Sequence, residues 1–273
     1  MSETQPTTRI PARQSGSSIE PDSKSGEQAN AGEPATTWEG VISLDKLERL
    51  RRKKKGRFQT AKPFPHLVFD DLLEPDTLNA VLEEFPTMSR PWHEAASQHE
   101  LKLSMADESQ FGPTTWKVFH SLNSSPFLSF LEKLTRIKGL IADPHLAGGG
   151  LHNIRRGGKL GVHTDFNFYR RLGVYRRLNV LIYLNHDWQK QWGGHLELWD
   201  QDKNVARRVL PVFNRAVIFE TSPTSYHGHP NPLECPEDQS RKSLALYYYS
   251  VDYPYEHDLD PHSTIFHEKP AED

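Results

Sequence analysis

The sequence predicts a mostly β fold of the α+β class, a β-sandwich or jelly roll with helices packed on one sheet. Three observations carry this. Two amphipathic helical stretches come early in the chain. From residue 151 short strand-like runs follow one another at 151–155, 178–184, 195–199, 205–211, 216–220 and 241–251. Clusters of Gly, Pro, Asn and Asp separate those runs, which is the punctuation of an antiparallel β architecture.

In chain order, residues 1–37 are rich in Ser, Thr, Pro, Gly, Glu and Gln, with Ile10 and Ile19 almost the only large apolar side chains. Such a stretch buries too little surface to offset its conformational entropy and is expected to be a disordered tail. Residues 38–61 place Val41, Leu44, Leu47 and Leu50 at roughly helical spacing before the run Arg51-Arg52-Lys53-Lys54-Lys55-Gly56-Arg57. This predicts a basic helical linker, its cations at a helix C-terminus or in solvent. The folded domain is expected over 62–256, opening with a short strand at 63–71. Pro75 then suits a first helical position, and Leu78, Val81, Leu82 and Phe85 form one apolar face. Ser125-Pro126 starts a second helix with Phe127, Phe130, Leu131 and Leu134 as its buried stripe. Gly148-Gly149-Gly150 marks a turn or a close backbone approach. Residues 257–273 are expected to form a polar, irregular C-terminal tail.

Composition narrows the function classes. The chain has 273 residues, a net charge of −3 and one cysteine, Cys235. A mean hydropathy of −0.70 fits a domain carrying a polar tail. The overall charge provides no field for nucleic acid or a membrane surface. A single cysteine excludes an internal disulfide and a cysteine-based zinc site, which favours a reducing compartment. No apolar run approaches a membrane span and residues 1–5 lack an apolar signal region. A cytoplasmic protein is expected.

The chemistry centres on Gly161-Val162-His163-Thr164-Asp165-Phe166-Asn167. Residues i and i+2 of an extended strand share a face, so His163 and Asp165 can reach one point. Two such ligands and a second histidine make the facial triad that holds non-haem Fe(II) with open positions. A second histidine lies downstream in Tyr226-His227-Gly228-His229-Pro230. His227 and His229 share a face by spacing, so geometry alone leaves both open.

Five motifs in order carry a resemblance: H-T-D-F-N (163–167), R-L-N-V-L-I-Y-L-N (177–185), W-G-G-H-L-E-L-W (192–199), S-Y-H-G-H-P (225–230) and R-K-S-L-A-L-Y-Y-Y (241–249). Across about 62–252 the chain resembles the 2-oxoglutarate- and Fe(II)-dependent oxygenases, in the branch similar to prolyl 4-hydroxylases. The resemblance implies a double-stranded β-helix, the jelly-roll or cupin-like form of the fold already expected. It implies metal ligands at His163, Asp165 and His227, since the family's distal histidine follows a Ser-aromatic pair as His227 follows Ser225-Tyr226. It implies that Arg241 anchors the far carboxylate of 2-oxoglutarate, a role a guanidinium fork suits, with Lys242 turned to the opposite face and into solvent. Tyr183 matches a family tyrosine that hydrogen-bonds the same carboxylate, and a core aromatic is the other reading of that position. His229 is then left beside the ligands or facing substrate.

The implied activity is a dioxygenase that hydroxylates an unactivated C–H bond of a prolyl or other amino-acid residue, free, in a peptide or in a protein. Fe(II) is the cofactor, 2-oxoglutarate and O2 the cosubstrates, ascorbate a reductant the family admits, and succinate and CO2 the by-products. The intact Asp165 argues against halogenation, for which relatives replace that carboxylate. Asn153 departs from the tyrosine that prolyl hydroxylases often carry in that region. The Arg-rich stretch 166–177, with Arg170, Arg171, Arg176 and Arg177, reads either as solvated loop arginines or as a lid that selects an acidic substrate. Two other classes stand beside the hydroxylase: a non-catalytic metal-binding or interaction module on the same fold, and a nucleic-acid demethylase that would use the 51–57 run. Neither a membrane nor a nucleic acid is the expected partner.

Overall fold

The structure is a computed structural model and describes residue 38 and residues 40–268. The stretch 1–37, expected as a disordered tail, lies outside the described residues.

Local sequence explains the helical part. The Ser43 side chain accepts from the Lys46 backbone N–H and opens α1 (Leu44–Lys53), whose last turn is basic, as a helix C-terminus favours. Gly56, in the left-handed conformation, separates it from α2 (Arg57–Thr60). After β1 (His66–Asp70) comes α3 (Pro75–Glu83). The strands β2 (His93–Ala96) and β3 (Glu100–Met105) pair as a hairpin. Then α4 (Pro113–Leu122) and α5 (Ser125–Thr135) follow, and like α3 each has proline in its first turn, where the missing N–H costs nothing.

The rest is strand: β4 (Ile141–Ala142), β5 (Gly150–Arg155), β6 (Lys159–Thr164), β7 (Phe168–Tyr169), β8 (Val174–Tyr183), β9 (Leu196–Trp199), β10 (Val205–Val209), β11 (Arg215–Glu220), β12 (His227–His229), β13 (Ser240–Ser250) and β14 (Ile265–Phe266). The order is β1-β11-β8-β13-β5 on one side and β6-β12-β9-β10 on the other, and β3 bridges β5 to β6. All pairings are antiparallel, and the sheet curls into the expected jelly roll.

Period-two alternation sorts each strand between two layers. In β13, Leu244, Leu246 and Tyr248 join Leu178, Val180 and Ile182 of β8 beneath the helices, packing with Leu78, Phe119, Phe127 and Leu131. Arg241, Ser243 and Tyr247, with Asn179 and Leu181, face the cleft between the sheets instead. Lys242 takes the opposite face from Arg241 as expected, but it is half-buried, with Nζ 5.7 Å from the Phe85 ring centroid rather than free in solvent.

Residues 41–60 are basic and contain α1 and α2, and Val41, Ile42, Leu47 and Phe58 are buried in the helix-side core. The tail beyond residue 256 adds β14 to β6, pairing Ile265 with Thr164 and Phe266 with His163. Among the described residues no helix is long and apolar enough to cross a membrane.

Candidate metal centre and its pocket

Strands β6 and β12 place His163 directly opposite His227. Asp165 is the first residue past Thr164, and its carboxylate lies between the two rings: His163 Nε2 is 3.6 Å from Oδ1 and His227 Nε2 is 3.6 Å from Oδ2. The three ligand atoms lie within 4.8 Å of one another and all three residues could hold a metal ion. Gly228 permits this approach, because a Cβ there would sit 2.6 Å from the Gly161 carbonyl oxygen.

The tautomers fit a metal. Each Nδ1 faces a backbone carbonyl at 2.8 Å, Gly161 O for His163 and Ser225 O for His227. A carbonyl only accepts, so each Nδ1 carries the proton and each Nε2 turns a lone pair inward. Burial, then the neighbouring His163, lowers the His227 pKa to about 4, so its ring is neutral near pH 7. Two imidazole nitrogens and a carboxylate on one face form the donor set that suits non-haem Fe(II).

Asp165 is clamped from behind. Arg176 Nη2 pairs with Oδ1 at 3.1 Å, and Asn179 Nδ2 donates to Oδ2 at 2.8 Å. Arg176 Nε in turn donates to Asn179 Oδ1, and its guanidinium stacks 3.4 Å from the Tyr247 ring centroid. Burial alone would raise the Asp165 pKa, but Arg176, His227 and His163 outweigh it and hold the carboxylate well below its ordinary range. This corrects the expectation for 166–177. The stretch is a β7–β8 hairpin in which Arg170 and Arg171 are exposed, while Arg176 and Arg177 are buried strand residues. Arg177 donates to Ser250 and to the Asp252 carbonyl. Sequence reading missed Arg176 and Asn179 as partners of Asp165. Their i, i+3 offset is not a strand period, so no spacing rule joins them.

The triad lines a cavity of about 210 Å³ whose walls combine Ile154, Leu160, Leu181 and Leu196 with polar and charged side chains. Arg241 lies buried at this cavity, donating through Nε to Gly194 O at 2.8 Å and through Nη2 to the Tyr183 hydroxyl at 3.2 Å. Tyr183 is fully buried among Leu196, Leu198 and Phe219 and is not among the residues lining the cavity. It stands behind Arg241, its ring centroid 4.8 Å from the guanidinium carbon. Asn153 faces away, its Nδ2 3.9 Å from Met88 Sδ, while its neighbours His152 and Ile154 line the cavity.

His229 does not converge with the triad. A register shift in β12 pairs it with Leu160, and it lines the same cavity as Arg241. Burial, then Arg241 and Lys102, push its pKa well below the usual histidine value, so the ring is neutral. Neither ring nitrogen has a hydrogen-bond partner among the described residues. An unmade bond at a buried polar atom costs about 1–3 kcal/mol.

Fold and site together place three groups that could hold a metal ion on a jelly-roll scaffold, and comparison with known proteins shows what this arrangement is similar to. Residues 149–249, which contain His163, Asp165, His227 and Arg241, match the 2OG-Fe(II) oxygenase superfamily. Prolyl 3-hydroxylase OGFOD1 of Mus musculus is 34% identical over 79 residues, 27% of this chain and 14% of that protein. The chain therefore matches only a small part of this curated relative's length. Among solved structures, the fold is that of a Trichoplax adhaerens prolyl hydroxylase in complex with a hypoxia inducible factor oxygen degradation domain peptide fragment. Its TM-score is 0.56 at 19% identity, covering 79% of this chain and 94% of that one. HygX of Streptomyces hygroscopicus, with nickel and 2-oxoglutarate bound, has a TM-score of 0.52 at 12% identity over 80% of this chain and 96% of its own.

Proposed function

We propose that this protein is an Fe(II)- and 2-oxoglutarate-dependent dioxygenase that hydroxylates a C–H bond of a prolyl or other amino-acid residue, free, in a peptide or in a protein. The observation that carries this is the convergence of the His163 and His227 Nε2 lone pairs with the Asp165 carboxylate on a cavity that Arg241 also lines. With iron and 2-oxoglutarate bound, the centre supplies the oxidant, O2 being consumed with release of succinate and CO2 as the substrate carbon gains a hydroxyl.

The chain's own residues set the conditions for that chemistry. Gly161 O and Ser225 O fix the imidazole tautomers, and Arg176 with Asn179 keeps Asp165 ionised and oriented. Arg241 offers a guanidinium to the distal carboxylate, and the apolar side chains of the walls strengthen that attraction by excluding water. Supporting a prolyl substrate are the 34% identical relative named a prolyl 3-hydroxylase and the prolyl-hydroxylase fold. The single buried cysteine supports a cytoplasmic setting. A nucleic-acid role for the 51–57 run finds less support, since Arg51 and Arg52 pair with Glu48 and Lys54 lies over Phe69.

The test is an anaerobic titration with Fe(II) and 2-oxoglutarate, followed by O2 and an assay for succinate. A weak visible absorption band from the ternary complex and slow succinate formation are expected, and both should vanish in His163→Ala and His227→Ala. A protein that binds neither metal nor 2-oxoglutarate would return the fold to the binding-module class.

A further inference from the structure

A buried polar group without a partner calls for an explanation, and a ligand that completes it is one. His229 is such a group: 3% exposed, on the cavity wall, with Nδ1 and Nε2 both lacking a partner among the described residues. Its surroundings define what is missing. Arg241 and Lys102 supply positive charge around it and His152 and His163 add imidazoles, while of the two carboxylates lining the cavity Glu100 is paired with Lys102 at 3.2 Å and Asp165 with Arg176 at 3.1 Å. The absent partner is therefore an anionic acceptor. His152 does not offer the same donor, because its Nε2 faces Gly148 O at 3.1 Å and its proton is committed there.

Resting on the 2-oxoglutarate reading, we propose that a ring N–H of His229 donates to the distal carboxylate of the cosubstrate, opposite Arg241. The topology favours this pairing. β12 and β13 lie on the two sides of the curled sheet that β3 joins, and both His229 and Arg241 line the cavity, so the two can approach one carboxylate from different strands. Arg241 has Nε and Nη2 engaged by Gly194 and Tyr183, which turns the Nη1 side toward a ligand. Tyr183, behind the guanidinium, positions Arg241, and His229 supplies the second donor that the tyrosine was expected to give.

The experiment uses the full chain loaded with Mn(II) under argon, with metal affinity read from the electron paramagnetic resonance of free Mn(II) and 2-oxoglutarate affinity from calorimetry. His229→Leu should weaken 2-oxoglutarate about ten- to hundredfold, the scale of a hydrogen bond to a charged group, and leave Mn(II) affinity unchanged. His229→Gln, which keeps an N–H, should recover most of the loss. Unchanged 2-oxoglutarate binding in His229→Leu overturns the assignment, and so does an equal loss of metal and cosubstrate, which would make His229 a support for His227. Wild-type protein that fails to bind 2-oxoglutarate overturns the dioxygenase reading itself. Should the leucine variant not fold, ¹⁵N-histidine spectra of the wild type decide. The His229 N–H resonance, assigned by its loss in His229→Gln, must shift on adding 2-oxoglutarate, and a resonance that stays put overturns the proposal.

Discussion

Ionised carboxylates resist burial, and Asp165, with its side chain 7% exposed, keeps its charge through what surrounds it. The converse holds for Arg176, whose 2% exposed side chain depends on that carboxylate. Removing one member of a buried pair strands the other at a cost of about 3–5 kcal/mol. Asp165→Ala should therefore destabilise the metal-free protein by about that amount, an effect unrelated to metal binding. The double variant Asp165→Ala/Arg176→Met should recover most of it. Urea denaturation of the four members of this cycle reads the coupling, and a single variant as stable as wild type would show that water already reaches Arg176. The cosubstrate end offers a second contrast. On the proposed reading, Arg241→Ala would leave the cosubstrate carboxylate unpaired in a partly buried pocket and should weaken 2-oxoglutarate by roughly one and a half to three and a half decades. Tyr183→Phe removes only an acceptor behind the guanidinium, and calorimetry should find it within about half a decade of wild type. His163 and Asp165 could be read together because an extended H-x-D puts both side chains on one face, whereas His227 and Arg241 were singled out only through the family resemblance. Arg176 was missed. Four arginines in an aromatic-rich stretch look alike in sequence, and only the pairing of β7 with β8 turns one of them onto Asp165.

Strand alternation made β8, β11 and β13 readable, since each buries one row beneath the helices and the other in the cleft. The β2–β3 hairpin was missed because His93-Glu94-Ala95-Ala96 is polar and half exposed, with no alternation to report. The helix α4 left a usable signal, Pro113 followed by Val118, Phe119 and Leu122, yet its N-terminus is completed from elsewhere in the chain. Glu84 accepts from the Thr114 and Thr115 backbone N–H groups at 2.8 and 2.7 Å and from Thr115 Oγ1 at 2.9 Å. Gly112 allows the approach, because a Cβ there would lie 2.5 Å from the Glu84 carboxylate. Burial raises the Glu84 pKa, but these hydrogen bonds together with Thr114 lower it below the ordinary value of 4.5. A carboxylate whose folded pKa is depressed stabilises the fold above its unfolded pKa, and the contribution fades as pH falls through the folded value. Glu84→Ala should cost about 1–2 kcal/mol at pH 7, the scale of a lost cap. The gap from wild type should narrow below about pH 4.5. Chemical denaturation at pH 7, 5 and 3.5 checks this, and a gap that stays constant would mean Glu84 acts by packing.

At the scale of the whole molecule, the sequence and the structure differ most over where the folded unit begins. The basic run at 51–57 resembles a linker in composition, because charge density dominates a short window and the apolar residues around it are spread from Val41 to Phe58. Three-dimensional packing collects them. Val41 and Ile42 precede α1, Leu47 lies within it and Phe58 within α2, and all four are buried in the core that also holds α3, α4 and α5. Polar ties add to this, with Lys46 Nζ donating to Leu73 O at 3.0 Å and Gln59 Nε2 to Thr135 O at 2.6 Å. Burying a Val, Leu, Ile or Phe side chain contributes about 1.5–3 kcal/mol, so four of them contribute roughly 6–12 kcal/mol, comparable with the about 5–15 kcal/mol that stabilises a typical domain. A chain beginning at residue 62 would keep the triad, Arg241 and every strand, yet expose the patch on α5 and β1 that α1 and α2 cover. Such a chain should lose its near-ultraviolet circular dichroism and its cooperative urea transition at 25 °C, and should aggregate through that patch. A sharp transition at wild-type denaturant concentration would instead make residues 38–61 an accessory to an autonomous domain.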